Sequence, residues 1–146
     1  MRISAASRTV TNLPTAARGP GVFAGATGGA FRLREVGMFN TAAAAVNVGL
    51  AVCTVTGTQV DALTEYVLDD PTAAAPAETA FKSQSSDSTV AAVIRQASLG
   101  AAIGSGLIWT FGDAGVLIPE GTANGVIITC PNGTAQHLDF YFDWEK

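Results

Sequence analysis

Near the end of the chain, eight residues alternate without a break. Leu138, Phe140, Phe142 and Trp144 are large and apolar, while Asp139, Tyr141, Asp143 and Glu145 between them are polar and mostly acidic. Side chains of a β-strand point to opposite faces with a period of two, so this run fits a strand with one dry face and one wet face, and fits no helix. A one-sided strand needs a sheet beside it and a second layer over its apolar face. The four large side chains are expected to anchor the core, where their burial stabilises by several kcal/mol at roughly 25 cal/mol per Å2.

The rest of the chain repeats the theme in weaker form. Phe31 and Leu33 alternate with Arg32 and Arg34, a strand running to about Asn40. Val46, Val48, Leu50 and Val52 alternate with Asn47, Gly49, Ala51 and Cys53, and Thr54 to Thr58 extend that run with β-branched residues. Further strands are expected over 78–85, 89–96, 106–111, 116–118 and 126–130, with turns at Ser85–Ser86–Asp87–Ser88, Gly112–Asp113–Ala114–Gly115 and Asn132–Gly133. Residues 61–70 fit a short amphipathic helix and a strand equally well. About eight short strands at roughly ten-residue spacing, with no long helical pattern, predict an all-β sandwich or barrel. Antibody-type immunoglobulin domains show a Cys…Trp…Cys order, whereas here Trp109 stands close to the second cysteine and Trp144 follows both. A jelly-roll-like antiparallel β-sandwich is therefore the expected class.

Residues 1–30 lack any persistent period and carry Pro14, Pro20 and several glycines. They read as an extended N-terminal arm that orders against a partner, leaving 31–146 as the sandwich domain. Charge points the same way. Residues 1–34 hold Arg2, Arg8, Arg18, Arg32 and Arg34 and no acid, while the remainder holds all 12 acids against Lys82, Arg95 and Lys146. Arg2, Arg8 and Arg18 are thus candidate assembly contacts, docking the arm on the acidic body of its own or a neighbouring subunit. Nucleic acid is not an expected partner, because phosphate binders concentrate more positive charge. The overall charged fraction is 14%, against a typical ~25%, which leaves a surface of small polar residues suited to contact with protein.

Candidate chemistry is sparse. His137 is the only histidine; with Asp139 and Ser105 it would supply a triad, but Ser105 lacks the glycine two places before it that a nucleophile elbow needs. One histidine and the distant Cys53 and Cys130 do not make a zinc site. Asp69–Asp70 or Asp139 and Asp143 would offer oxygens to calcium, without a matching loop motif. The glycine clusters at 25–29 and 100–104 precede no Gly-Lys-Ser/Thr. No enzyme activity, metal or cofactor is expected. Cys53 and Cys130 fit free buried thiols or a single bridge. No signal peptide opens the chain, since no apolar run accompanies Arg2 and Arg8, and Asn132–Gly133–Thr134 is a hairpin turn rather than a glycosylation site. The uncharged run Ala97–Gly112, which includes Gly100 and Gly104, is shorter than the ~20 residues of a membrane span and reads as two strands.

The C-terminal half resembles small virion proteins of tailed bacteriophages. The resemblance rests on Gly106–Leu–Ile–Trp–Thr–Phe–Gly112, Leu117–Ile–Pro–Glu–Gly–Thr–Ala–Asn–Gly125 and Asp139–Phe–Tyr–Phe–Asp–Trp144, with Arg34–Glu–Val–Gly–Met–Phe–Asn40 and Leu63–Thr–Glu65 in support. It spans residues 31–146 and carries no active-site residues. It implies a β-sandwich subunit of a phage particle, made in the host cytoplasm and mounted on the capsid surface as a decoration or cement protein. A homotrimer contacting the major capsid protein or other virion proteins is the expected assembly. A neck, tail or fibre component is the alternative, as is a carbohydrate- or receptor-binding module with Trp109, Tyr66 or Tyr141 as its stacking platform.

Overall fold

The computed structural model describes residues 1–10, 13–25, 29–74, 76–121, 123–131 and 136–146. Among them lie twelve strands and no helix: β1 (Arg2–Arg8), β2 (Gly21–Phe23), β3 (Phe31–Asn40), β4 (Val46–Val55), β5 (Gln59–Ala62), β6 (Tyr66–Val67), β7 (Thr79–Gln84), β8 (Thr89–Leu99), β9 (Gly106–Thr110), β10 (Val116–Ile118), β11 (Gly125–Thr129) and β12 (Leu138–Glu145). They form two antiparallel sheets. The first runs β10-β3-β12-β1-β6, with β9 pairing β3 on the same side as β10. The second runs β5-β7-β2-β11-β4-β8.

The pairing is nested from the outside of the chain inward. β1 pairs β12, β2 pairs β11, β3 pairs β10 and β9, and β4 pairs β8. A long hairpin paired in this way and rolled so that alternate strands fall in opposite sheets is a jelly roll. The segment between β4 and β8 adds β5 and β7 beside β2, and β6 beside β1. Residues 61–70 thus hold the end of β5 and all of β6, and no helix.

Leu138, Phe140, Phe142 and Trp144 all point into the sandwich and are buried. They meet Ile3 and Ala5 of β1, Leu33, Val36 and Met38 of β3, and Val48, Leu50, Val126 and Ile128 of the opposite sheet. Phe31 lies edge-on to Trp144 with centroids 6.4 Å apart. A second, smaller apolar cluster sits on the outer side of the second sheet. Phe23 and Phe81 stack there at 4.8 Å beside Ala51, Cys53 and Ile127. Gly125 lies directly beneath Phe23, where a Cβ would collide with the ring. Cys53 and Cys130 are both buried.

The N-terminal arm expected over 1–30 is not an arm. Arg2–Arg8 pairs β12 along its whole length, with Ile3 fully buried, and Gly21–Phe23 is held between β7 and β11. The reason is charge and size together. Arg2 stands opposite Glu145 and Arg8 opposite Asp139, so the basic first strand is the cross-strand complement of the acidic last one. Its inward positions are one Ile and one Ala, too small an apolar signal to stand out among prolines and glycines. The run Ala97–Gly112 is the end of β8, a turn and β9, and no helix among the described residues is long and apolar enough to cross a membrane. The Asn132–Gly133 turn, the Asn132–Thr134 acceptor and most of the glycine cluster 25–29 lie outside the described residues.

Candidate assembly surface

Nested pairing brings the β1–β2, β3–β4, β8–β9 and β11–β12 connections to one end of the sandwich. The hydrogen bonds there confirm it. Thr9 N–H donates to the Leu138 carbonyl at 2.9 Å, and Leu138 N–H to the Thr9 hydroxyl at 3.0 Å. Asn40 N–H donates to the Ser105 carbonyl at 2.7 Å, and Gly104 N–H to the Asn40 carbonyl at 2.8 Å.

Asn40 is the node of this end. Its buried amide nitrogen donates to the carbonyls of Ala44 at 2.6 Å and Gly100 at 3.0 Å. Its amide oxygen accepts from Ala42 N–H at 3.1 Å and from Gln136 Nε2 at 2.6 Å. An amide has two donors and two acceptor sites, so Asn40 is fully used in joining three connections. Thr41 Oγ1 donates to the His137 carbonyl at 2.7 Å. His137 Nδ1 donates to the Thr9 carbonyl at 2.7 Å, which fixes the ring against the first connection.

Among the described residues, the β3–β4, β8–β9 and β11–β12 connections carry no charge, and the β1–β2 connection carries only Arg18, which is paired with Asp87. The stretches 9–17, 36–60, 96–112 and 121–138 contain no Asp, Glu, Lys or Arg, and described residues of all four meet at this end, among them Thr9, Asn40, Gly104 and Leu138. Ala43, Ala44, Ala45, Gly100, Ala101 and Ala102 are exposed on it, and Ile103 is 74% exposed. Nearest below it is the exposed Arg8–Asp139 ion pair at 2.7 Å. That pair holds Asp139 below its ordinary pKa, through the Arg8 hydrogen bond against a desolvation cost.

The wet face of the first sheet carries charges instead, several of them paired. Arg34 donates to Glu145 and to the carbonyls of Gly112 and Asp113; Arg32 donates to the Ala114 carbonyl at 2.6 Å. Together they clamp the β9–β10 turn. Arg2, Arg34, Glu35, Thr110, Asp113 and Glu145 line an open cleft of about 360 Å3 here. Arg34 is spent on its own turn and on Glu145, which braces this side of the cleft. Tyr141 donates to Glu35 across the face of Gly37, whose missing Cβ leaves room for the ring.

The arginines taken as assembly contacts thus sit on the body. Arg8 pairs Asp139 and Arg18 pairs Asp87, within the same chain. Ser105, His137 and Asp139 are not joined as a triad: Nδ1 of His137 is bonded to Thr9, and Asp139 to Arg8. Asp69 accepts from Arg2 N–H and Asp70 from Thr72, and among the described residues no three metal-ligating side chains converge. Trp109 and Tyr141 are half-buried, while Tyr66 is 53% exposed. Sequence reasoning missed Asn40 and the charge-free connections it joins. The signal was present as four charge-free stretches, but only the topology shows that they meet. Comparison with protein-family models, curated proteins and solved structures found no match.

Proposed function

We propose that this chain is a structural subunit of a bacteriophage virion, a decoration or cement protein that binds the capsid surface and other copies of itself. The observation that carries the reading is the set of charge-free connections braced by Asn40. Interface centres are depleted in charge, because each charge buried without a partner costs more than the contact returns. A rigid platform of alanine, glycine and Ile103 meets a protein neighbour with no such cost and with little side-chain entropy to lose. Jelly rolls serve in viral capsids, and the resemblance at 31–146 agrees with that use. Fold alone does not assign function, so the platform and not the roll carries the weight.

The test is mass spectrometry of virions banded on a density gradient from the source culture, with the chain quantified per particle. Many copies per particle are expected. Substituting Ile103→Glu in the phage-borne copy should lower the occupancy at least tenfold while the purified variant keeps its urea midpoint. Recovery of the chain only from the unbanded supernatant overturns the reading.

A further inference from the structure

β8 closes one side of the second sheet, and among the described residues no strand pairs its outer edge. The other sheet-edge strands are short: β5 has four residues, β6 two, β9 five and β10 three. β8 has 11, of which only Arg95 is charged. Its ladder with β4 is bulged toward its start, between Leu50 and Ala51 and again between Val52 and Cys53. From Arg95 to Leu99 it is regular, pairing residues 50 back to 46 one for one. An unpaired regular edge presents a row of backbone donors and acceptors ready to accept another strand.

We propose that two copies of the chain pair edge to edge through β8, antiparallel about a two-fold axis at Ala97. Such a pairing deepens the assembly reading, on which it rests, by naming the surface and its occupant as a second copy. Three observations select that occupant. First, an antiparallel edge is complementary to itself, and a two-fold contact needs only one surface. Second, the chain has a net charge of −4, yet 96–112 carries none, so two copies meet here without repulsion. Third, the register suits the side chains. Centring on Ala97 sets Gln96 opposite the partner's Ser98, and Arg95 opposite the partner's Leu99. The two arginines then lie at opposite ends of the paired segment. Arg95 is drawn over the Phe111 ring, 5.3 Å from its centroid, and its guanidinium donates to the Ile94 carbonyl at 2.9 Å, just outside the segment 95–99 that pairs.

The interior faces also match. Arg95, Ala97 and Leu99 stand opposite Leu50, Val48 and Val46, which are buried between the sheets. Beside them Ile94, Leu107 and Trp109 form an open rim, only partly buried against the core. Pairing continues the second sheet and lays the partner's β8 along this rim.

The test is light scattering of the full-length chain on a sizing column, at low and high salt. A mass of twice the chain is expected in both. Gln96 and Ser98 are exposed and face outward, so substituting them probes the register without touching the core. The double variant Gln96→Glu/Ser98→Glu sets carboxylates opposite each other at two symmetry-related places and should weaken the dimer roughly tenfold. The variant Gln96→Glu/Ser98→Lys sets opposite charges across the axis and should restore it. Unchanged urea midpoints for both variants tie the effect to association. A monomer at all concentrations, a trimer, or a dimer indifferent to the two acidic substitutions overturns the pairing. A monomeric chain that still occurs in many copies per particle leaves the virion reading standing.

Discussion

Ile3 tests whether the first strand is core or appendage. It is fully buried between the sheets, in contact with the cluster that holds Phe142 and Trp144. Truncating a buried isoleucine to alanine removes three carbons from packed surroundings, and Ile3→Ala should cost about 3 kcal/mol, within the 2–5 range for such cavities. Ala6 lies on the same strand but faces solvent, and Ala6→Ser should stay within about 0.5 kcal/mol. Deleting residues 1–8 removes more. β1 pairs β12 at seven positions, so about seven hydrogen bonds at roughly 1 kcal/mol net each are lost together with the burial of Ile3 and Ala5. That sum, about 10 kcal/mol, is comparable with the whole ~5–15 kcal/mol by which a domain of this size is stable. Urea denaturation, followed by far-ultraviolet circular dichroism and tryptophan fluorescence, is the assay. The deletion is expected to show no cooperative transition, and Ile3→Ala a lowered midpoint with an unchanged slope. A deleted chain that melts at the full-length midpoint would show that β1 is dispensable and refute the packing argument.

Asn40→Ala should cost roughly 2–3 kcal/mol, less than four full bonds because Ala42 and Ala44 regain water. Hydrogen exchange should quicken selectively at Ala42, Gly104 and Ser105; uniform exchange across the molecule would contradict the role of Asn40 as a node. On the alkaline side, burial pushes the Cys53 thiol up to about 11, with the Ser88 hydrogen bond opposing. Burial, then the hydrogen bond to Glu35, raises the Tyr141 phenol above its ordinary value. An acid whose folded pKa lies above its unfolded one contributes its full stabilisation below the unfolded pKa and loses it as pH rises through the folded pKa. Thermal stability should therefore decline from about pH 8.5 upward as unfolded Cys and then Tyr ionise. Tyr141→Phe should shallow that decline above about pH 10, and an identical slope in the variant would remove Tyr141 as a cause.

The sandwich was legible because its signal is local. Alternation in β12 and β4 depends only on neighbours along the chain, and the same period-two rule places Leu138 to Trp144 inside whatever lies opposite. The long charge-free stretches were equally plain in the sequence. What stayed hidden depends on pairs far apart in sequence. β1 reads as an arm because Ile3 and Ala5 are weak signals alone; its place is decided by a ladder to residues more than a hundred positions away, where Arg2 and Arg8 meet Glu145 and Asp139. The split between a basic beginning and an acidic remainder was visible, but the sequence does not say that the two close on each other within one chain. Likewise Asn40 is one asparagine among several until the nested topology brings Ala44, Gly100 and Gln136 around it. Local periodicity determines which residues face inward, since a strand has only two sides. Tertiary pairing decides which loops meet and which edge stays open, because hydrogen-bonded register is a property of two segments and of neither alone.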